Sequence, residues 1–428
     1  MKVVTITQNT VFKTSTQNST QLPSSQKVSV SQGQSFPTSS AKLTGKHYRV
    51  QLQQALPPVG RVGYFYADHV RIEEPRIPPL PALKHRGVWL TNVDSDVLFS
   101  RENLQTAVQK LAELNFNTLY PVVWNRGYTL YPSRVAEEVT GASVAPQSQF
   151  QQRDMLAELL EVAKPYQMRV IPWFEYGLMA PHQSTLAKQH PDWLTQKANG
   201  EPIHNHMVWL NPSHPDVVKF LTDLIQEIIQ NYDIDGIQLD DHFGLPVEFG
   251  YDEFTKTLYQ QQTGKQPPTK YTDSAWMTWR AAQVTACMRR ISQTVKMTKA
   301  DGLVSLSPNP QGFSFSHYLV DWQDWEKNGL LDELVVQLYR NKLADFEAEL
   351  QKPEMIAARR HIPVLIGILS GIKPRSVGIS QIQQQVVATR KHNYAGVSFF
   401  FYETVMHQTL SPLAVGDRTP AQLRKLLG

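Results

Sequence analysis

The segment Asp235-Gly236-Ile237-Gln238-Leu239-Asp240-Asp241-His242-Phe243 decides how the chain is read. It is a short apolar run that turns acidic at its end, as expected of a parallel strand covered on both faces that opens onto a polar rim. Alternation along an extended strand sends Gln238 and Asp240 to one side and Leu239 to the other. Two adjacent acids in that place are costly unless they meet water or a ligand. The plainer alternative is an acid that caps the next helix as the chain leaves the strand.

Outward from this segment, runs of the same kind recur at 87–91, 118–124, 169–175, 303–307, 334–339, 364–369 and 396–402. With 236–240 they make eight. Between them lie helical patterns: Leu104, Val108, Leu111 and Leu114 keep one face, and so do Val217, Leu221, Leu224 and Ile228 behind Pro215 and Asp216. Strand–helix alternation repeated eight times predicts a (β/α)8 TIM barrel over residues 85–428, with long excursions after strands two, three and four. Residues 1–75 alternate as short half-buried strands (28–31, 47–52, 63–72) broken at Gly33, Gly45 and Pro57-Pro58-Val59-Gly60. They predict a small all-β barrel resembling SH3-like modules in pattern, joined by a Pro-rich linker at 76–84.

Composition narrows the function classes. A formal charge of +4 without a Lys/Arg run gives no case for nucleic acid. Cys287 is the single cysteine, so neither an intramolecular disulfide nor a cysteine metal cluster can form. No apolar run approaches the roughly 18 residues of a membrane span. MKVVTITQNTVFK lacks the basic and apolar regions of a signal peptide, which gives the cytoplasm by default and leaves the cell envelope or exterior open. A monomer or weak oligomer is expected.

Barrel chemistry sits at the carboxyl ends of the strands. Those ends read Trp89-Leu90-Thr91-Asn92, Trp124-Asn125-Arg126, Trp173-Phe174-Glu175-Tyr176, Gln238-Leu239-Asp240-Asp241-His242, Ser307-Pro308-Asn309, Gln337-Leu338-Tyr339-Arg340 and Tyr402-Glu403. Glycoside cleavage needs two flanking carboxyl groups, one ionised and one protonated. Asp240, Asp241 and Glu175 are the catalytic candidates. Flat rings and amide or guanidinium donors would hold the sugar: Trp89, Asn92, Trp124, Arg126, Trp173, Gln238, His242, Asn309, Tyr339, Arg340 and Glu403. Trp124 and Trp173 are best placed for stacking, although barrel core is the bland reading of the tryptophans. Glu175 alternatively pairs with Arg126 or Arg340. His204-Asn205-His206, with His182, His190, His214 and His242, shows no recognised ligand spacing, so neither a metal nor a cofactor is expected.

In combination, several segments resemble the glycosyl-hydrolase-like family 10 proteins, a bacterial TIM-barrel family distinct from the xylanase family of that number. They are Arg86-Gly87-Val88-Trp89-Leu90, Asn117-Thr118 with Leu130-Tyr131-Pro132-Ser133, Trp173-Phe174, Trp209-Leu210-Asn211-Pro212 and 235–241. The resemblance implies action on bacterial glycans, peptidoglycan strands among them. The 235–241 segment also resembles the nucleophile strand of α-amylases, with an Asp in the place of Asp240; strand five lacks the acid of that family. The expected function is a glycoside hydrolase acting on a glycan polymer. Asp240 would be nucleophile or charge stabiliser, and Asp241 or Glu175 the general acid. A non-catalytic glycan-binding barrel and a metal-dependent amidohydrolase or deacetylase are the rivals.

Overall fold

The computed structural model describes residues 2–73, 81–372 and 375–406, together with 424 and 427. The chain divides into two compact units, 1–79 and 80–428. Most of the expected linker lies outside the described residues.

The first unit is all-β. Seven antiparallel strands run in the order Lys27–Val30, Thr10–Lys13, Gly60–Tyr66, His47–Leu56, Ser35–Thr44, Lys2–Ile6, Val70–Glu73. The three alternating stretches cover four of these strands, 63–72 spanning both Gly60–Tyr66 and Val70–Glu73, and miss Lys2–Ile6, Thr10–Lys13 and Ser35–Thr44. The last alternates Ser, Thr and Lys with few apolar residues, so period-two hydrophobicity cannot mark it. Val4, Phe12, Val50, Leu52 and Phe65 form the core.

The second unit is α/β. Its parallel strands run in the order Arg169–Val170, Thr118–Pro121, His85–Leu90, Gly396–Phe400, Val364–Leu369, Glu333–Gln337, Leu303–Ser307, Gly236–Asp240, Trp173–Phe174. The first and last of these nine are two pieces of one segment, parted by Ile171 and Pro172. Pro172 lacks the N–H that an unbroken ladder would use. All eight expected strand regions are present, with ends displaced by a few residues.

The interior of this curled sheet is filled in layers. Register places Gln238 opposite Ser305 and Asp240 opposite Ser307. In the lower layer Gln238 accepts Trp89 Nε1 at 2.7 Å and donates to Ser305 Oγ at 3.0 Å. Below it, the buried Glu333 accepts Tyr120 Oη and Ser305 Oγ, each at 2.9 Å, and pairs with Arg169 at 3.1 Å. Gln238, Ser305, Tyr120 and Glu333 are thus all partnered, as burial demands, whereas Trp173 Nε1 and Ser398 Oγ are buried without a partner among the described residues. Trp89 and Trp173 close over this layer with their ring centroids 6.2 Å apart.

Helices cover the outside. Arg101–Glu113 buries Leu104, Ala107, Val108 and Leu111 and is capped by Ser100, whose hydroxyl accepts Asn103 N. Pro215–Asn231 starts with proline in its first turn, where no N–H is needed, and buries the expected face of Val217, Leu221, Leu224 and Ile228. The long excursions also appear. The one after Thr118–Pro121 carries the hairpin Trp124–Asn125/Tyr128–Thr129, and the one after Trp173–Phe174 carries Met179–Pro181/Met207–Trp209. Among the described residues no helix is long and apolar enough to cross a membrane.

Candidate active site

Asp240 is the upper-layer counterpart of Gln238, on the same side of the strand and two residues nearer the rim. It is 4% exposed. Its Oδ1 accepts Ser307 Oγ at 2.7 Å and Gln337 Nε2 at 2.8 Å, from the next two strands. Its Oδ2 lies 3.6 Å from His242 Nδ1. Asp241, the next residue and partly exposed, accepts Asn309 Nδ2 at 2.7 Å and lies 3.3 Å from the same imidazole nitrogen. The two acids therefore share one cation.

Glu175 comes from the end of the neighbouring strand. Its Oε2 accepts Asn125 Nδ2 at 2.9 Å, and Asn125 also donates to Asn92 Oδ1 at 2.6 Å. A tight hairpin delivers Asn125. Its two loop residues, Arg126 and Gly127, have φ of 53° and 81°, the left-handed pair that a two-residue hairpin requires. A second tight contact holds the Glu175 loop against the acid pair. Gly177 has φ of 50°, and a Cβ there would lie 2.8 Å from Phe243 N, so only glycine fits.

Burial and mutual repulsion set the protonation states. Burial pushes the Glu175 carboxyl up to about 7, against the Asn125 hydrogen bond, with Asp240 adding to the rise and His242 and Arg126 opposing it. Asp240 is raised as well, by burial and then by Asp241, although His242 and Ser307 pull the other way. Burial alone would lower His242, but Asp241, Asp240 and Glu175 outweigh it and raise the imidazole to about 10. The Tyr339 phenol, also at this rim, is pushed well up by burial and by both aspartates.

Asp240, Asp241 and His242 are the one group among the described residues whose ligand atoms are close enough for an ion, all within 4.8 Å. His242 Nδ1, however, also lies 3.2 Å from the backbone carbonyl of Glu175. A carbonyl can only accept, so this nitrogen carries its proton and is not free to ligate. The other histidines are engaged locally. His182 Nδ1 donates to His206 O at 2.8 Å, His204 Nδ1 lies 3.4 Å from Glu248, and His214 caps Pro215–Asn231.

Several expected sugar contacts are placed otherwise. Trp89, Trp124 and Trp173 are at most 2% exposed, which leaves no ring face for a ligand. Trp124 packs on Phe220 and donates to Gly177 O, so it supports the Glu175 loop from beneath. Gln238 is wholly enclosed in the lower layer. Arg340 is bound to Glu349 at 2.9 Å rather than to Glu175. Glu403 opens the short helix Tyr402–Met406 and accepts Ser95 Oγ at 2.9 Å. Asn92, Arg126, His242, Asn309 and Tyr339 do converge with the three acids. Asn125, Ser307 and Gln337, which fix Glu175 and Asp240, were visible as strand ends, but only the register shows what they hold.

A parallel-stranded sheet with three carboxyl groups gathered at the carboxyl ends of its strands is the frame in which the comparisons fall. Residues 84–389 match the glycosyl hydrolase-like 10 family. The chain belongs to that family. Among its curated relatives, glycosyl hydrolase YngK of Bacillus subtilis is 24% identical over 290 residues, which cover 59% of this chain and 54% of that protein. Glycosyl hydrolase DigH of Escherichia coli is 24% identical over 306 residues, covering 59% and 65%. The chain thus spans between half and two thirds of these relatives. Solved structures show the shared fold. The glycoside hydrolase domain of PgaB (BpsB) from Bordetella bronchiseptica superposes with a TM-score of 0.61 at 12% identity, over 81% of this chain and 99% of that one. The catalytic domain of β-amylase from Paenibacillus polymyxa follows at 0.56 and 10%, over the same shares. This member of the glycosyl hydrolase-like 10 family therefore has a glycosidase-type α/β fold.

Proposed function

We propose that this protein hydrolyses O-glycosidic bonds in a bacterial glycan polymer, with peptidoglycan strands as the first candidate, on a closed (β/α)8 barrel. Closure is supported by the 169–174 segment, which pairs with Thr118–Pro121 at its start and with Gly236–Asp240 at its end. The first unit is read as SH3-like on its short antiparallel strands alone.

One observation carries the chemistry: Glu175 and Asp240 both have raised pKa values at one rim but unequal hydrogen-bond support. Asp240 faces three donors, from Ser307, Gln337 and His242, whereas Asn125 is the donor on Glu175. Donors stabilise the charged form, so when one proton is shared the first group to take it is Glu175. Glu175 then serves as general acid to the leaving oxygen, and ionised Asp240 stabilises the developing oxocarbenium charge or attacks it. Protonated His242 favours the ionised form of Asp240. Asp241, held by Asn309, is the alternative acid. Asn92, Arg126 and Tyr339 are the polar groups left to orient the sugar.

A metal-dependent hydrolase is the second reading, favoured by the closeness of Asp240, Asp241 and His242 and opposed by the proton on Nδ1. The deciding assay is release of reducing ends from purified peptidoglycan glycan strands, with and without EDTA. Turnover indifferent to EDTA is the expected result. Loss with EDTA and recovery with zinc would replace the carboxylate mechanism. Binding of strands without turnover would make the protein a glycan-binding barrel.

A further inference from the structure

The charge of this chain is unevenly spread. Residues 1–73 hold eight Lys or Arg and two Asp or Glu, a formal +6, although the whole chain carries +4. The first unit is therefore a cationic body joined to a remainder of slightly negative net charge. Within it, Thr10–Lys13 and the following loop border a cavity of about 490 Å³. That is the size of a small-ligand site.

The cavity is lined by Lys13, His47, Tyr66, His69, Asn18 and Thr10, among others, and no acid is among the lining residues. Lys13 is 6% exposed. Its ammonium donates to Gln17 O, and it makes no ion pair among the described residues. An ammonium has three protons to place, and the Gln17 carbonyl takes one of them. Burial accordingly lowers the Lys13 pKa, and Lys13 in turn helps to lower that of His47. The cavity also carries aromatic rings set edge-on to one another. Tyr66 stands between His47 and His69 with ring centroids 5.5 and 5.0 Å away, and His69 Nδ1 is fixed by Thr10 Oγ1 at 3.1 Å.

A cation without an ion-pair partner among the described residues, lining an open cavity beside Tyr66 and His47, is a receptor for an anionic ring. We propose that this cavity binds an acidic sugar residue of a glycan, its carboxylate on Lys13 and its ring against His47 and Tyr66. The cationic surface of the unit would concentrate such a polymer by long-range attraction. A free peptide carboxylate shares the charge but not the flat ring. The inference does not depend on the barrel's chemistry, since it is read by binding and not by turnover.

The test is calorimetric titration of the full-length chain with trigalacturonate, with its carboxyl-reduced neutral counterpart, and with acetyl-trialanine. Trigalacturonate should bind, at least tenfold more tightly than the other two, and severalfold more weakly at 0.5 M salt than at 0.05 M. Lys13→Met should weaken it at least tenfold. If that variant fails to fold, His47→Ala, at a half-buried wall position, should weaken it at least fivefold. Equal affinity for the neutral trisaccharide, tighter binding of the peptide, or unchanged affinity in a folded Lys13→Met or His47→Ala protein would each overturn the proposal.

Discussion

Replacing Asp240 with Asn separates chemistry from folding. The amide oxygen can keep both bonds of Oδ1, from Ser307 at 2.7 Å and from Gln337 at 2.8 Å. The amide nitrogen then takes the place of Oδ2, 3.6 Å from His242, so little packing changes. What disappears is a buried negative charge. Burial and Asp241 raise the Asp240 pKa from 3.8 to about 7. At roughly 1.4 kcal/mol per unit this bounds the cost of the charge to the folded state at about 4 kcal/mol; sharing of the proton with its neighbours brings it to the order of 1–3 kcal/mol. The sign follows from linkage. A carboxyl with a raised folded pKa destabilises the fold above that pKa, and the penalty shrinks as pH falls toward the unfolded value. Asp240→Asn should therefore be more stable than the parent at pH 8 by about 1–3 kcal/mol and equal to it near pH 4. Its kcat on glycan strands should fall by about 10³, near 4 kcal/mol of transition-state stabilisation, with binding retained. Urea melts at the two pH values and kcat on the same preparation check both claims. Near-parental turnover, or a variant weaker than the parent at pH 8, would refute the assignment.

Other perturbations test the neighbouring residues. Glu175→Gln should cut kcat by about 10²–10⁴ and abolish the alkaline limb of the pH–rate profile, which in the parent should fall as Glu175 loses its proton near pH 7. Trp124→Ala should lower stability by about 3–5 kcal/mol in a denaturant melt, as expected of a core ring; a variant of parental stability with weakened glycan binding would restore the stacking role. A chain starting at Pro81 should melt within a few degrees of the parent, and its recovery only as insoluble material would show that the two units do not fold independently.

Much of the α/β unit was legible because parallel strands buried on both faces write continuous apolar runs, and the helices between them write a period of 3.6. The edges of the reading are equally physical. The second strand region ends at Pro121 and resumes as the hairpin at Trp124, a break that the unbroken apolar run LYPVVW conceals. Glu333 lies at the start of its strand and would be dismissed as a loop acid, yet it gathers the buried polar groups below Gln238, because Arg169 and Tyr120 arrive from strands far away in sequence.

The sequence by itself determined the strand–helix alternation, the two-part organisation, and the presence of Asp240, Asp241 and Glu175 at strand ends. These follow from local rules: alternation along a strand, the cost of an acid in an apolar run, the conformations that Gly and Pro allow. Tertiary structure decided the roles. It buried the three tryptophans that local reading aimed at substrate, tied Arg340 to Glu349, and set His242 between two acids as a shared cation. It also ranked the two raised carboxyls by the donors that face them. Such assignments depend on register across strands and on burial, which are sums over the whole fold, and no window of neighbouring residues contains them.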